Sequence, residues 1–158
     1  MKTTPKRFHR QLLALWLLTT VVLFGAQANA EEHTINAVGV KFDPIFIYIE
    51  PGDTIHWEGM TGHNIETIDA MVPQGQEKIN TELGANVSAV FETEGLVVYK
   101  CTPHWGARMG GIIVVGKPEN AGETLDAYLE SLKTDKVNLP AKGLLKKLRK
   151  DMESKGLL

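Results

Sequence analysis

The sequence predicts an all-β sandwich or barrel followed by two α-helices. Three observations carry that reading: short apolar runs broken by turn residues from His33 to about Gly116, weak helical periodicity within that stretch, and a switch to helical spacing after Pro118. At 158 residues and 43% hydrophobic, the chain has material for one ordinary core.

The first thirty residues stand outside that core. Lys2, Lys6, Arg7 and Arg10 make a basic start, Leu12 to Phe24 an apolar run, and Ala28-Asn29-Ala30 a small-residue motif, the pattern of an export signal cut before Glu31. The apolar run is shorter than the roughly 18 to 20 residues of a bilayer span, so the mature chain is expected to have no stable membrane insertion. The expected organisation is a signal peptide (1–30), a β-sandwich (31–117) and a helical extension packed on it (118–158). The mature chain then has 13 Lys and Arg against 19 Asp and Glu, a formal charge of −6. No basic face clusters in the globular part, which argues against nucleic acid as a partner.

Along the mature chain, Phe42, Ile45, Ile47 and Ile49 form one strand-like run, Pro51-Gly52-Asp53 turns the chain, and Ile55 and Trp57 alternate in the next strand with His56 on its outward face. Residues 60–86 are more polar and are read as a loop with one short helix. Val87 to Phe91 and Leu96 to Cys101 read as a hairpin about Thr93-Glu94-Gly95, which puts Val97, Tyr99 and Cys101 on one side. Ile112 to Val115 is the last strand. Leu125, Tyr128, Leu129 and Leu132 then predict a helix opening near Asn120 or Glu123. A second starts near Pro140, with Leu144, Leu145, Leu148 and Met152 on its apolar face and Lys142, Lys146, Lys147, Arg149 and Lys150 opposite. That stripe is read as docking onto the core, with the lysines as a solvated face.

An exported chain with a single cysteine closes no internal disulfide. Cys101, His104 and Met109 fall within nine residues just after a strand. Thiolate and thioether are soft ligands and imidazole is intermediate, so the set favours copper or zinc over calcium and magnesium. Structural zinc takes four close Cys or His ligands and catalytic zinc keeps an open water position, so a methionine in the set argues against both. A trigonal copper site needs a second imidazole. Gly62-His63-Asn64, 38 residues upstream, is the best source, with Gly62 letting the backbone bend.

Two stretches resemble the pseudoazurins, a cupredoxin family of blue-copper proteins. They are Gly62-His63-Asn64-Ile65-Glu66 running into Met71 to Glu77, and Lys100-Cys101-Thr102-Pro103-His104 with Met109 at the family's spacing. The paired C-terminal helices are a further shared trait. The resemblance implies a Greek-key sandwich of roughly eight strands and one type 1 copper held by His63, Cys101, His104 and Met109. It also implies a periplasmic, monomeric electron carrier with redox protein partners of the cytochrome c or copper nitrite reductase type. Asn64 is expected to hold the two ligand loops together. His104 is expected at the surface, within an apolar patch of Pro103, Trp105 and Gly106, with simple packing over the site an equal alternative for Trp105. The chain departs from the family at Thr61 and at Trp105-Gly106-Ala107-Arg108, where Gly106-Ala107 looks more like plastocyanin. It also departs in charge: residues 31–130 carry 5 basic and 16 acidic groups, whereas the family presents a lysine-rich ring around its exposed histidine.

A copper enzyme needs a second metal with its own ligands, and mature His33, His56, His63 and His104 are too few, so no enzymatic activity is expected. Copper delivery or buffering is the alternative, disfavoured by a closed ligand frame drawn from two distant loops. His33 is the third residue of the expected mature terminus, where amine, amides and imidazole could grip copper(II) in a square plane. Chance placement is the preferred account of it.

Overall fold

A computed structural model describes residues 30–158; of residues 1–30, read as the export signal, 1 to 29 lie outside the described ones. The described chain forms eight strands: β1 (Glu32–Val38), β2 (Lys41–Asp43), β3 (Phe46–Ile49), β4 (Asp53–Glu58), β5 (Glu66–Thr67), β6 (Val87–Phe91), β7 (Gly95–Lys100) and β8 (Gly110–Val115). Helices α1 (Ala121–Ser131) and α2 (Ala141–Ser154) follow. One sheet runs β2-β1-β4-β6 and the other β3-β8-β7-β5, and β1–β4 and β3–β8 are parallel pairs within these two mixed sheets. This is the Greek-key sandwich with two C-terminal helices that the resemblance implies.

Side-chain alternation along the central strands sorts the interior into two cores. Val97 and Tyr99 of β7, Cys101 just beyond it, and Ile113 and Val115 of β8 face the first sheet, where they meet Ile35, Phe42, Ile55, Trp57 and Phe91. Leu96, Val98, Ile112 and Val114 point the other way, onto Leu125, Tyr128, Leu144, Leu145, Leu148 and Met152 of the helices. All of β8 and all of β7 after Gly95 are therefore buried, as near-continuous apolar runs require of strands covered on both faces. Polar bonds pin the helices too: the Tyr128 hydroxyl donates to the Leu96 carbonyl at 2.9 Å and the Tyr48 hydroxyl to Asp151 at 2.5 Å. The α2 lysines Lys142, Lys146, Lys147 and Lys150 are exposed, as read from the sequence.

Two sequence expectations are corrected. The chain about Thr93-Glu94-Gly95 is no hairpin: β6 pairs with β4 and β7 with β5 and β8, so this turn passes between sheets. Gly95 takes φ +142°, with Pro73 packed where a Cβ would stand. Turn residues specify a bend, not the partners of the strands they join. The run Phe42 to Ile49 likewise divides, β2 joining one sheet and β3 the other.

Asp53 opens β4 and is 3% exposed. Its carboxylate accepts from the Glu31 N–H at 2.8 Å and the Glu50 N–H at 2.9 Å, and meets His33 Nε2 at 2.9 Å. Burial alone would raise its pKa; the bonds from Glu31, His33 and Glu50 outweigh that and hold it below the ordinary carboxylate value. A carboxylate with a lower pKa folded than unfolded stabilises fully above the unfolded value of about 3.9, and its contribution disappears as pH falls through the folded value. Asp53→Asn is therefore expected to cost about 2 kcal/mol at pH 7, with the deficit shrinking in acid. Urea midpoints at pH 7 and pH 3 check this, and an equal deficit at both would sink it. The ring of His33 engages the same carboxylate while its backbone lies in the β1–β4 ladder.

Candidate metal centre

The ladder between β5 and β7 determines which loops meet. Glu66 pairs with Lys100 and Thr67 with Tyr99, and this antiparallel register draws the loop before β5 against the residue after β7. That loop holds His63. Gly62 precedes it at φ +78°, a conformation open to glycine, and the His63 N–H donates to the Met60 carbonyl at 2.8 Å. The His63 carbonyl accepts from Gly84 N–H at 2.8 Å, so the ring is set from both sides of its loop.

The second loop is short and braced by its own backbone. β7 and β8 are antiparallel, with Lys100 opposite Gly110, and the Cys101 N–H closes the loop on the Met109 carbonyl at 2.9 Å. Residues Thr102–Ala107 make 3-10 turns. The His104 N–H donates to the Cys101 carbonyl at 3.2 Å, and Met109 N–H to the His104 carbonyl at 3.2 Å. Arg108, at φ 64°, turns the chain back toward β8.

These loops bring His63, Cys101 and His104 together, the only such group of three found among the described residues. Cys101 Sγ lies 3.6 Å from His63 Nδ1 and 3.5 Å from His104 Nδ1, and the three donor atoms fall within 4.8 Å of one another. Bonds of about 2.0 Å to nitrogen and 2.3 Å to sulfur, spread at 120°, separate S from N by roughly 3.7 Å, close to both observed distances. The residues therefore fit a trigonal ion, and a His2Cys set with a weak axial thioether is the donor chemistry of blue copper. Met109, 1% exposed, supplies a thioether from the same buried cluster as Cys101. Burial lowers the His63 pKa and the facing His104 adds to it, which keeps a lone pair on that ring for a metal. His63 is 8% exposed, while His104 is half-buried.

Asn64 joins the two loops, as expected. Its Oδ1 accepts from the Thr102 N–H at 2.8 Å and its Nδ2 donates to Thr102 Oγ1 at 3.3 Å. Thr102 Oγ1 donates in turn to Glu66 Oε2 at 2.8 Å. Burial would raise the pKa of Glu66, but hydrogen bonds from Lys100 and Thr102 outweigh it and hold the carboxyl below its usual range. The sequence reading gave Glu66, Lys100 and Thr102 no role; their only signal was their place inside the two motifs.

Of the two roles open to Trp105, packing is the one observed. Pro103 and Gly106 are exposed, but Trp105 is 7% exposed and belongs to the helix-side core. Its indole Nε1 donates to the Val137 carbonyl at 3.1 Å, in the linker between α1 and α2. An indole finds both an apolar bed and an acceptor there, so it packs inward and leaves the surface patch to its neighbours.

Comparison with known proteins agrees with this geometry. Residues 29–116 match the family described as copper binding proteins, plastocyanin/azurin family. The pseudoazurin of Paracoccus pantotrophus is 34% identical over 125 residues, 76% of this chain and 84% of that protein. That of Methylorubrum extorquens is 32% identical over 114 residues, 68% and 77% of the two chains. Among solved structures, pseudoazurin from Methylobacterium extorquens AM1 superposes with a TM-score of 0.62 at 27% identity, covering 74% of this chain and 98% of that one.

Proposed function

The chain belongs to the pseudoazurins, copper electron-transfer proteins of the plastocyanin/azurin family, and we propose that it is an exported electron carrier holding one copper through His63, Cys101, His104 and Met109. The observation that carries the proposal is the triangle of one sulfur and two ring nitrogens with 3.5 and 3.6 Å edges, built from loops 38 residues apart.

Copper supplies a reversible one-electron couple when bound. The chain's own residues supply the constancy that makes exchange fast. Cys101 and Met109 are tied to each other by a backbone bond, His63 is fixed at both its N–H and its carbonyl, and Asn64 links the two loops. Little has to move when charge changes by one, because the frame and not the ion dictates donor positions. Cys101, His63 and Met109 are buried while the His104 ring is half-buried beside exposed Pro103 and Gly106, so its edge is where the ligand set faces a partner. Brief contact at such a small surface suits a carrier that must leave after each transfer.

Export with periplasmic residence fits the basic-apolar-small start of the sequence. A cut before Glu31 makes its N–H, already 2.8 Å from Asp53 Oδ1, an ammonium paired with a carboxylate. No helix of the described residues is long and apolar enough to cross a membrane. The division into a sandwich to residue 117 and an extension from 118 belongs to the same reading. Partners are redox proteins; a c-type cytochrome or a copper nitrite reductase is the proposed kind, with catalysis belonging to the partner and a monomeric carrier between.

Voltammetry of the copper-loaded chain tests this. One reversible one-electron wave per chain is expected, with the metal retained through repeated cycles in a mild chelator. Ready surrender of copper to that chelator, without a stable wave, would replace the carrier by a delivery or buffering protein.

A further inference from the structure

Lys100 stands where the alternation of β7 directs a side chain away from Cys101 and toward the helices, the side occupied by Leu96 and Val98. Its side chain is 9% exposed. An ammonium so buried is costly unless its donors are met, and a methionine or leucine would fill the same space without that cost. Two of its three donors are met, by segments far apart in the chain. Nζ lies 3.0 Å from Glu66 Oε1 and donates to Asn138 Oδ1 at 3.2 Å.

Each partner is itself held. Asp135 accepts from both the Asn138 N–H at 3.1 Å and Nδ2 at 2.7 Å, which turns the amide so that its oxygen faces Lys100. The other Glu66 oxygen accepts from Thr102, the residue after Cys101, and Thr102 is bonded to Asn64, the residue after His63. An unbroken polar path thus runs from the α1–α2 linker through Asn138, Lys100, Glu66 and Thr102 to both ligand loops. The Trp105–Val137 bond ties the same linker to the same loop at a second point.

We propose that Lys100 is a positioning residue of the metal centre: through Asn138 and Glu66 it fastens the helical extension to the His63 and Cys101 loops, so that the extension braces the ligand set. The role rests on the four-ligand reading above. Copper release requires the two ligand loops to separate. A tie that crosses both, anchored on a third segment, slows that separation without touching the metal.

The test follows bleaching of the visible thiolate band in excess EDTA for the copper-loaded mature chain, with melting temperature and reduction potential measured alongside. Lys100→Met and Asn138→Ala are each expected to speed copper loss about 10-fold while leaving the band position unchanged. In the Lys100→Met background, Asn138→Ala is expected to add nothing, since its effect passes through the ammonium. Tyr128→Phe breaks the Tyr128–Leu96 bond of the same extension and is expected to lower the melting temperature with the rate of copper loss at the wild-type value. In metal-free protein, amide exchange at Thr102 should speed up in both brace variants and not in Tyr128→Phe. Wild-type rates in Lys100→Met and Asn138→Ala, or additive effects of the two, would overturn the role of Lys100 alone. A wild-type chain that takes up copper without the band would overturn the ligand reading, and the role with it.

Discussion

Copper-loaded Cys101→Ser is expected to be colourless, where the unaltered chain shows an intense visible band. The band requires charge transfer from a thiolate to copper(II), and Cys101 is the sole cysteine in the sequence, so no other sulfur can replace the thiolate. Serine keeps the volume and the fold, because the Cys101 N–H bond to the Met109 carbonyl is a backbone bond. What changes is the donor: a hydroxyl is hard, and it does not ionise at neutral pH as a metal-bound thiol does. Copper affinity should fall by more than the 10- to 100-fold that contacts outside the ligand set command. Titration with copper followed by absorption checks both parts. A surviving band in Cys101→Ser would mean that the metal binds elsewhere, and the ligand assignment would fail.

Trp105→Ala is expected to cost the largest stability increment of any single change near the site, about 3 to 5 kcal/mol. The indole is buried between β8 and α2. A Cβ built on Gly110 would come within 2.9 Å of its ring and 3.2 Å of Leu144, a measure of how tightly the three fit. Alanine leaves a cavity there and removes the hydrogen bond to the Val137 carbonyl. Trp105→Phe keeps most of the ring and loses only the hydrogen bond, worth about 1 kcal/mol. Chemical denaturation of both variants separates packing from hydrogen bonding. Equal, small losses would show that Trp105 does not fasten the helices to the copper loop.

The copper loop was legible because covalent spacing carried it: a thiol, an imidazole and a thioether within nine residues of a strand end admit few alternatives. His63 was harder. Its approach to Cys101 depends on the two-residue strand β5, too short to show any period; from the residues only Gly62 and the nearby strand-like segment favoured it, and the resemblance added the rest. The helices were readable from their stripes, since Leu144, Leu145, Leu148 and Met152 fall at the spacing of one face and are all buried. Tertiary partnership escaped the sequence. Packing and docking stay equally open for Trp105 until the Val137 carbonyl, 32 residues on, is beside it. Lys100 reads as an ordinary strand-end lysine until Asn138 arrives from the linker. The misread hairpin at Thr93 to Gly95 has the same origin, because each half had a stronger partner elsewhere.

The acidic sandwich and the lysine-studded back of α2 give the molecule a lasting electrical polarity. Residues 31–130 carry 5 basic and 16 acidic groups, and residues 131–158 carry 8 and 3. A body so divided rotates in the field of a charged neighbour before the two surfaces touch, so collisions are pre-aligned and not random. The reach of that alignment is set by the medium, about 30 Å in 0.01 M salt and about 8 Å at physiological strength. How often an encounter begins in a productive orientation is therefore a property of the surrounding fluid as much as of the protein.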